Sequence, residues 1–297
     1  MKSTNELIAS AKEYINKANA VVIGAGAGLS TAAGFTYSGE RFKRYFGDLE
    51  RLYNYHDMYS GGFYQYPSDE ARWAAWSRNI YINRYMKPPM TVYEDLLKLV
   101  EDRDYFVITT NVDHCFQKAG VDRDRLFYTQ GDYGLFQCSE PCHQKLYSNH
   151  SAIRDMVLSQ GFEIDDNCGL RIPKNTALTS EIPSVLIPYC PICGKPMTLH
   201  LRSDKTFIQN DEWYAAAERY EHFLNKHLTD KTIYLEIGVG YNTPAIIKFP
   251  FIKNTFDNKN AVYICLNTEE CYIPEEIEDR SIMLCGDGAN IIEMLLT

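Results

Sequence analysis

The segment Val21–Gly34, VVIGAGAGLSTAAG, constrains this chain more than any other. Val21, Val22 and Ile23 read as the end of a buried strand. Gly24, Gly26 and Gly28 follow, then Ser30 and a run of small residues that suits the start of a helix. Glycine tolerates positive φ and lets another group approach the backbone closely. A helix that opens just after such a turn presents free N–H groups and the positive end of its dipole. The segment is therefore a candidate for holding a pyrophosphate; a strand-to-helix turn that binds nothing is the alternative. Its spacing departs from the dinucleotide fingerprint G-x-G-x-x-G, which needs glycine where Leu29 stands. The acidic residue expected about twenty positions on would be Glu50, yet LERLYNYHDMY around it does not read as a strand. The expectation is a Rossmann-like nucleotide fold that is not an ordinary dehydrogenase.

Periodicity extends this reading along the chain. Residues 4–18 form an amphipathic helix before the glycine turn, and 91–101 a second one, with Val92, Leu96, Leu97 and Val100 on its apolar face. Strands are expected at 105–109, 126–129, 233–237, 261–266 and 281–284, with helices from 211 and at 289–296. Strands that alternate with helices imply a parallel sheet covered on both faces. Each strand ends in small or polar residues: Thr110-Asn111-Val112-Asp113, Gln130-Gly131, Gly238-Val239-Gly240, Asn267, and Cys285-Gly286-Asp287-Gly288. Ligands of open α/β sheets bind at the carboxyl ends of strands, so these ends outline one crevice. Two segments break the pattern. Residues 35–90 are rich in aromatics and arginine and read as short helices; 138–204 carry little regular alternation.

Composition bounds the function. A net charge of −9 argues against non-specific nucleic-acid binding. No apolar run approaches the roughly 20 residues of a membrane span, and MKSTNELIAS lacks the apolar stretch of a secretion signal. Nine cysteines without such a signal point to a reducing, cytoplasmic setting, in which they serve as thiols or metal ligands. Four of them fall into two pairs, Cys138-x3-Cys142 and Cys190-Pro-Ile-Cys193-Gly194. Such spacings let four thiolates converge on a structural Zn²⁺. His143 is a possible competitor as ligand.

Taken in order, GAGAGLS, TTNVD, TQG, the cysteine pairs, GVG, LN and CGDGA resemble the sirtuin family of NAD-dependent deacylases and ADP-ribosyltransferases. The resemblance spans nearly the whole chain. It implies a Rossmann-like NAD-binding domain from residues 1–36, 91–137 and 205–297. A helical module, 37–90, and a zinc-binding module, 138–204, would form a small domain, with NAD in the cleft between the two. By resemblance Gly24, Ala25, Gly26 and Ser30 hold NAD, and Asp113 with the Val112 backbone grips the nicotinamide carboxamide. Asn111 contacts the ribose hydroxyls or the attacking group. Gly238, Gly240 and Asn242 lie near phosphate, Asn267 and Glu269 hold the adenine ribose, and Asp287 and Gly288 bound the adenine. Cys138, Cys142, Cys190 and Cys193 bind structural zinc.

Three departures redirect the expected chemistry. Gln130 stands where the deacylases carry the His that acts as general base on ribose, and glutamine cannot take that proton. Thr36-Tyr37-Ser38 replaces the usual Asp-Phe-Arg, and the acyl-channel segment after the second cysteine pair gives way to Met197–Asp204. These changes resemble the macrodomain-linked, class M microbial sirtuins. That class transfers ADP-ribose to a lipoyl-carrying H-like protein of the glycine cleavage type, with a macrodomain hydrolase acting on the same target. The expected activity is thus mono-ADP-ribosylation of a protein with release of nicotinamide. Asn111, Gln130 and Arg202 are the candidate catalytic residues, and His200 is a second candidate beside Arg202. A deacylase without the His, an NAD hydrolase and a catalytically dead NAD-binding module are the rival readings.

Overall fold

The computed structural model describes every residue except Met1, Lys2, Asn242, Thr243, Glu270 and Cys271. The chain divides into two compact units, one of residues 1–34, 89–130 and 211–297, the other of residues 35–88 and 131–210.

The first unit is built on six parallel strands: β1 (Ala20–Ala25), β2 (Asp104–Thr109), β3 (Leu126–Tyr128), β4 (Thr232–Ile237), β5 (Val262–Asn267) and β6 (Ser281–Cys285). Their order across the sheet is β6-β5-β4-β1-β2-β3. This is the doubly wound order in which the winding reverses between β1 and β4, and open sheets of this kind take ligands at that switch point. β1 and β4 are buried at every residue, as strands covered on both faces must be. On one face Val22, Phe106, Tyr234 and Tyr263 pack with Ala216, Phe223 and Phe251 of the helices Asp211–Lys226 and Lys248–Asp257. This face also holds a buried ion pair, Lys248 with Glu236, whose second carboxylate oxygen accepts from the Tyr263 hydroxyl at 2.7 Å. A buried charge needs such partners. The helix Gly288–Leu296 packs against both Val92–Val100 and Thr4–Lys17, and Thr4–Lys17 also packs against β6.

The second unit contains a three-stranded antiparallel sheet of Tyr147–Ser148, Gly131–Cys138 and Met197–Leu201, with the eight-residue strand Gly131–Cys138 in the centre. The resemblance places residues 131–137 in the large domain. The structure instead begins the second unit at Gly131, whose φ of +96° turns the chain into pairing with Leu201. No methyl group fits at that turn, because a Cβ on Gly131 would stand 1.9 Å from the His200 carbonyl oxygen. The aromatic segment is also less fragmented than expected: Gly39–Tyr53 is a 15-residue helix and Asp69–Ile80 a 12-residue one. Arg78, fully buried on the latter, grips Asp48 with two nitrogens at 2.6 and 2.9 Å and donates to Gln160 at 2.7 Å. That arginine joins the helical segment to the helix His150–Ser159.

Candidate functional site

The glycine turn is held by the end of β4. The Gly26 N–H donates to the Ile237 carbonyl at 3.0 Å, and the Gly28 N–H to the Gly238 carbonyl at 2.9 Å. A Cβ on Gly26 would lie 2.6 Å from the Gly238 oxygen, and one on Gly28 2.6 Å from the Gly238 Cα. Gly238 itself has φ +59°, the left-handed region that favours glycine. On Gly24 a Cβ would meet Ile247 and Phe251 at 2.3 and 2.6 Å. Close packing of two backbones at the switch point therefore explains Gly26 and Gly28, and packing under the side chains of Ile247 and Phe251 explains Gly24. The following helix, Ala27–Ala32, is only six residues long.

The end of β2 is stitched to the same turn. Thr109 Oγ1 donates to the Ala25 carbonyl at 2.9 Å and accepts from the Asn111 N–H at 3.0 Å. Asn111 Nδ2 donates to the Gly26 carbonyl at 2.9 Å. Two residues later Asp113, 6 % exposed, accepts the Cys115 N–H on Oδ1 at 2.9 Å, which starts the one-turn helix Cys115–Lys118. Its Oδ2 accepts from Ser30 Oγ at 2.5 Å and from the Tyr93 hydroxyl at 3.4 Å. Ser30 and Tyr93 are themselves 3.0 Å apart. Asp113 thus both braces the turn before a short helix and joins a buried polar cluster. The structure brings Ser30, Asn111 and Asp113 together with Gly24, Ala25 and Gly26, and Val112 is half-buried between its neighbours.

Tyr93 is the member of this cluster that the sequence reading passed over. It lies on the buried face of Val92–Val100, between Val92 and Leu96. The available signal was a hydroxyl on an otherwise aliphatic helix face, since a buried tyrosine oxygen needs a partner.

The other expected residues are placed as follows. Gln130 is half-buried, with Nε2 3.4 Å from Thr129 Oγ1. Gly240 has open space where a Cβ would be. Asn267 directs its amide to the Val239 carbonyl at 3.3 Å and its Oδ1 to the Thr268 N–H, so it braces the Gly238–Gly240 turn. Glu269 is exposed. Asp287 is the N-cap of Gly288–Leu296, accepting from the Asn290 N–H at 2.9 Å. A Cβ on Gly288 would come within 3.1 Å of Ala32. Asn242 lies outside the described residues. In the second unit Arg202 is exposed, with its guanidinium 5.9 Å from the Phe207 ring. His200 stacks on the same ring at 4.5 Å and is 2 % exposed. Its Nε2 donates to the Ile208 carbonyl at 2.8 Å, and burial lowers its pKa, so it is held neutral.

The four paired cysteines converge within the second unit. Their sulfurs all lie within 4.8 Å of one another, with Cys138 to Cys193 at 3.6 Å and Cys142 to Cys190 at 3.7 Å. Sulfurs about 2.3 Å from a tetrahedral zinc stand roughly 3.8 Å apart, so the donor set and its spacing fit that ion. Gly194, at φ +70°, closes the second knuckle with its N–H on the Cys190 carbonyl at 2.9 Å. The N–H groups of Cys193 and Ile192 hold the Cys190 thiol down at about 6. His143 is a neighbour of the cluster: Nδ1 accepts the Lys145 N–H at 3.1 Å, which leaves Nε2–H facing the Cys190 sulfur at 3.4 Å.

No family model matches the chain. A protein ADP-ribosyltransferase of Staphylococcus aureus is 38 % identical over 95 % of this chain and 84 % of its own length. A probable bifunctional ADP-ribose hydrolase/ADP-ribosyltransferase of Fusarium oxysporum f. sp. cubense is 29 % identical over 96 % of this chain, which spans about half of that relative (47 %). Among solved structures, a Sir2 homologue in complex with NAD superposes with a TM-score of 0.58 over 97 % of this chain and 92 % of that one, at 14 % identity. A Sir2 complex with a p53 peptide and NAD⁺ gives 0.56 over 100 % and 98 %, at 15 % identity. A doubly wound sheet with an inserted cysteine-bearing unit is therefore the architecture of the Sir2 class. The chain belongs to the family of the Staphylococcus aureus protein ADP-ribosyltransferase and carries the Sir2 fold.

Proposed function

We propose that this chain is an enzyme that cleaves the nicotinamide–ribose bond of NAD and transfers the ADP-ribosyl group to a protein. The observation that supports this most is the buried Ser30–Asp113 pair with Asn111 beside it, at the carboxyl ends of β1 and β2. It occurs in a chain 38 % identical to a protein ADP-ribosyltransferase. The bond between C1′ and the pyridine nitrogen breaks, and nicotinamide leaves with the bonding pair. Positive charge develops on the ribose, so oriented dipoles at that position lower the barrier. A nucleophile of the acceptor bonds to C1′ and releases its proton.

In this reading Asp113 and the Val112 backbone hold the carboxamide, Asn111 faces the ribose hydroxyls, and Gln130 orients the ribose without titrating. Gly24, Ala25, Gly26, Gly238 and Gly240 let the phosphates approach, while Asn267, Glu269, Asp287 and Gly288 serve the adenosine half. Arg202 is the acceptor-side candidate. Cys138, Cys142, Cys190 and Cys193 hold zinc, which supplies folding energy to the second unit and no chemistry. The acceptor we propose is a lipoyl-carrying H-like protein, with a macrodomain hydrolase as the reversing partner; the family resemblance supports both.

The test is incubation with NAD and such a carrier, with and without lipoate, followed by mass spectrometry of the carrier. One added ADP-ribosyl group per carrier is the expected result. A carrier that stays unmodified while nicotinamide is released would replace transfer by NAD hydrolysis.

A further inference from the structure

Asn111 can present either end of its side-chain amide to a ligand, and the two ends do opposite things. Its Nδ2 faces the Gly26 carbonyl at 2.9 Å and the Tyr93 hydroxyl at 3.4 Å. A carbonyl accepts only, so nitrogen must occupy that side. Both Nδ2 hydrogens are then engaged, and among the described residues nothing donates to Oδ1. Tyr93 closes the arrangement. Asp113 accepts only, so the Ser30 proton lies on the 2.5 Å contact to Oδ2, and Ser30 Oγ is left to accept from Tyr93 at 3.0 Å. Protons therefore run from Asn111 Nδ2 to Tyr93 and from Tyr93 to Ser30, with Asp113 Oδ2 a longer second acceptor of the Tyr93 hydroxyl at 3.4 Å, while Ser30 donates to Asp113. Tyr93 is 1 % exposed, its ring packed edge-on against Phe116 at 4.9 Å. Burial and the Asp113 charge push its hydroxyl well above the usual tyrosine range, so it keeps its proton.

We infer that Tyr93 is a positioning residue that fixes Asn111 with its carbonyl oxygen toward the ligand and couples that orientation to Asp113. This inference rests on the NAD reading above. An oxygen held there accepts from ribose hydroxyls and sets the negative end of a dipole against the charge that grows on the ribose. Without the Tyr93 hydroxyl, Nδ2 keeps one partner instead of two. The amide then rotates more freely, and orientation is lost more than affinity.

Two variants test this, Tyr93→Phe and Ser30→Ala, with the double variant, by nicotinamide release under varied NAD and by thermal unfolding. Tyr93→Phe should lower kcat about tenfold with KM for NAD within about twofold of wild type. The double variant should lose no more than the worse single variant, because both break one relay. A merely structural role would lower the unfolding midpoint and leave kcat per folded molecule unchanged. Wild-type kcat in Tyr93→Phe, or a double loss equal to the product of the singles, would overturn the inference alone. A wild-type chain that releases no nicotinamide would overturn the function reading with it.

Discussion

At the glycine turn, Gly28 shows how tightly a single residue is held. Its Cα side faces Gly238, and an added methyl group would lie 2.6 Å from the Gly238 Cα and 3.0 Å from its carbonyl oxygen. Backbone cannot swing aside as a flexible side chain can, so Gly28→Ala should destabilise the chain by about 2 kcal/mol or more. Denaturant unfolding checks this, together with NAD titration, where binding should weaken at least tenfold because the turn and the Gly238–Gly240 segment move together. Val21–Gly34 was legible as a glycine turn between a buried strand and a helix. Which backbone it packs against was not, because Gly238 lies 210 positions away. Asn111 and Asp113 were likewise legible from TTNVD as polar residues at a strand end, whereas the Tyr93 hydroxyl that joins them was not. Helical periodicity scores a tyrosine among Val92, Leu96 and Leu99 as core, and carries no information on where its hydroxyl points.

Among the elements, the strands of the first unit follow their apolar runs, and most ends fall within a residue of the pattern. Gly131–Cys138 was missed because GDYGLFQC mixes polar and apolar residues that are nearly all buried, so alternation vanishes. At the opposite end of β2 a polar knot ties three elements. Asp104 accepts from Arg125 at 2.8 Å, from Lys226 at 2.5 Å and from His227 at 3.0 Å. Burial alone would raise its pKa, but these donors hold it at about 2, against an ordinary 3.8. A lowered carboxyl contributes stability that is complete above pH ~4 and is lost as pH falls toward 2. With solvent screening at Lys226, the contribution at neutral pH is about 1–2 kcal/mol. Asp104→Asn should therefore be less stable than wild type at pH 7, with the gap narrowing between pH 5 and pH 3. Urea unfolding at those pH values checks the sign. A gap that widens on acidification would contradict it.

For the whole molecule, the two compact units carry different obligations. The first unit buries a continuous core on its six-stranded sheet. The second holds four cysteine sulfurs in mutual contact, and four thiolates so close together need a cation among them. Bound zinc should be found at about one per chain by atomic emission, and Cys193→Ser should lose it. Chelation should melt the second unit at a lower temperature than the first, giving two calorimetric transitions where the holoprotein gives one or a closer pair. Unchanged calorimetry after complete metal removal would contradict a folding role for the ion. Among the described residues no helix is long and apolar enough to cross a membrane.

The central claim is that the ADP-ribosyl group of NAD ends on a protein, and the fate of the adenylate half reads it directly. Wild type would be incubated with NAD labelled in the adenylate phosphate, a lipoylated carrier protein and an acyl-lysine peptide in one vessel, with Asn111→Ala in parallel. The expected result is label on the carrier in step with nicotinamide release, an intact acyl peptide, and neither product from Asn111→Ala. Label recovered as O-acyl-ADP-ribose, with the peptide deacylated, would contradict the claim and restore deacylation as the activity of this fold.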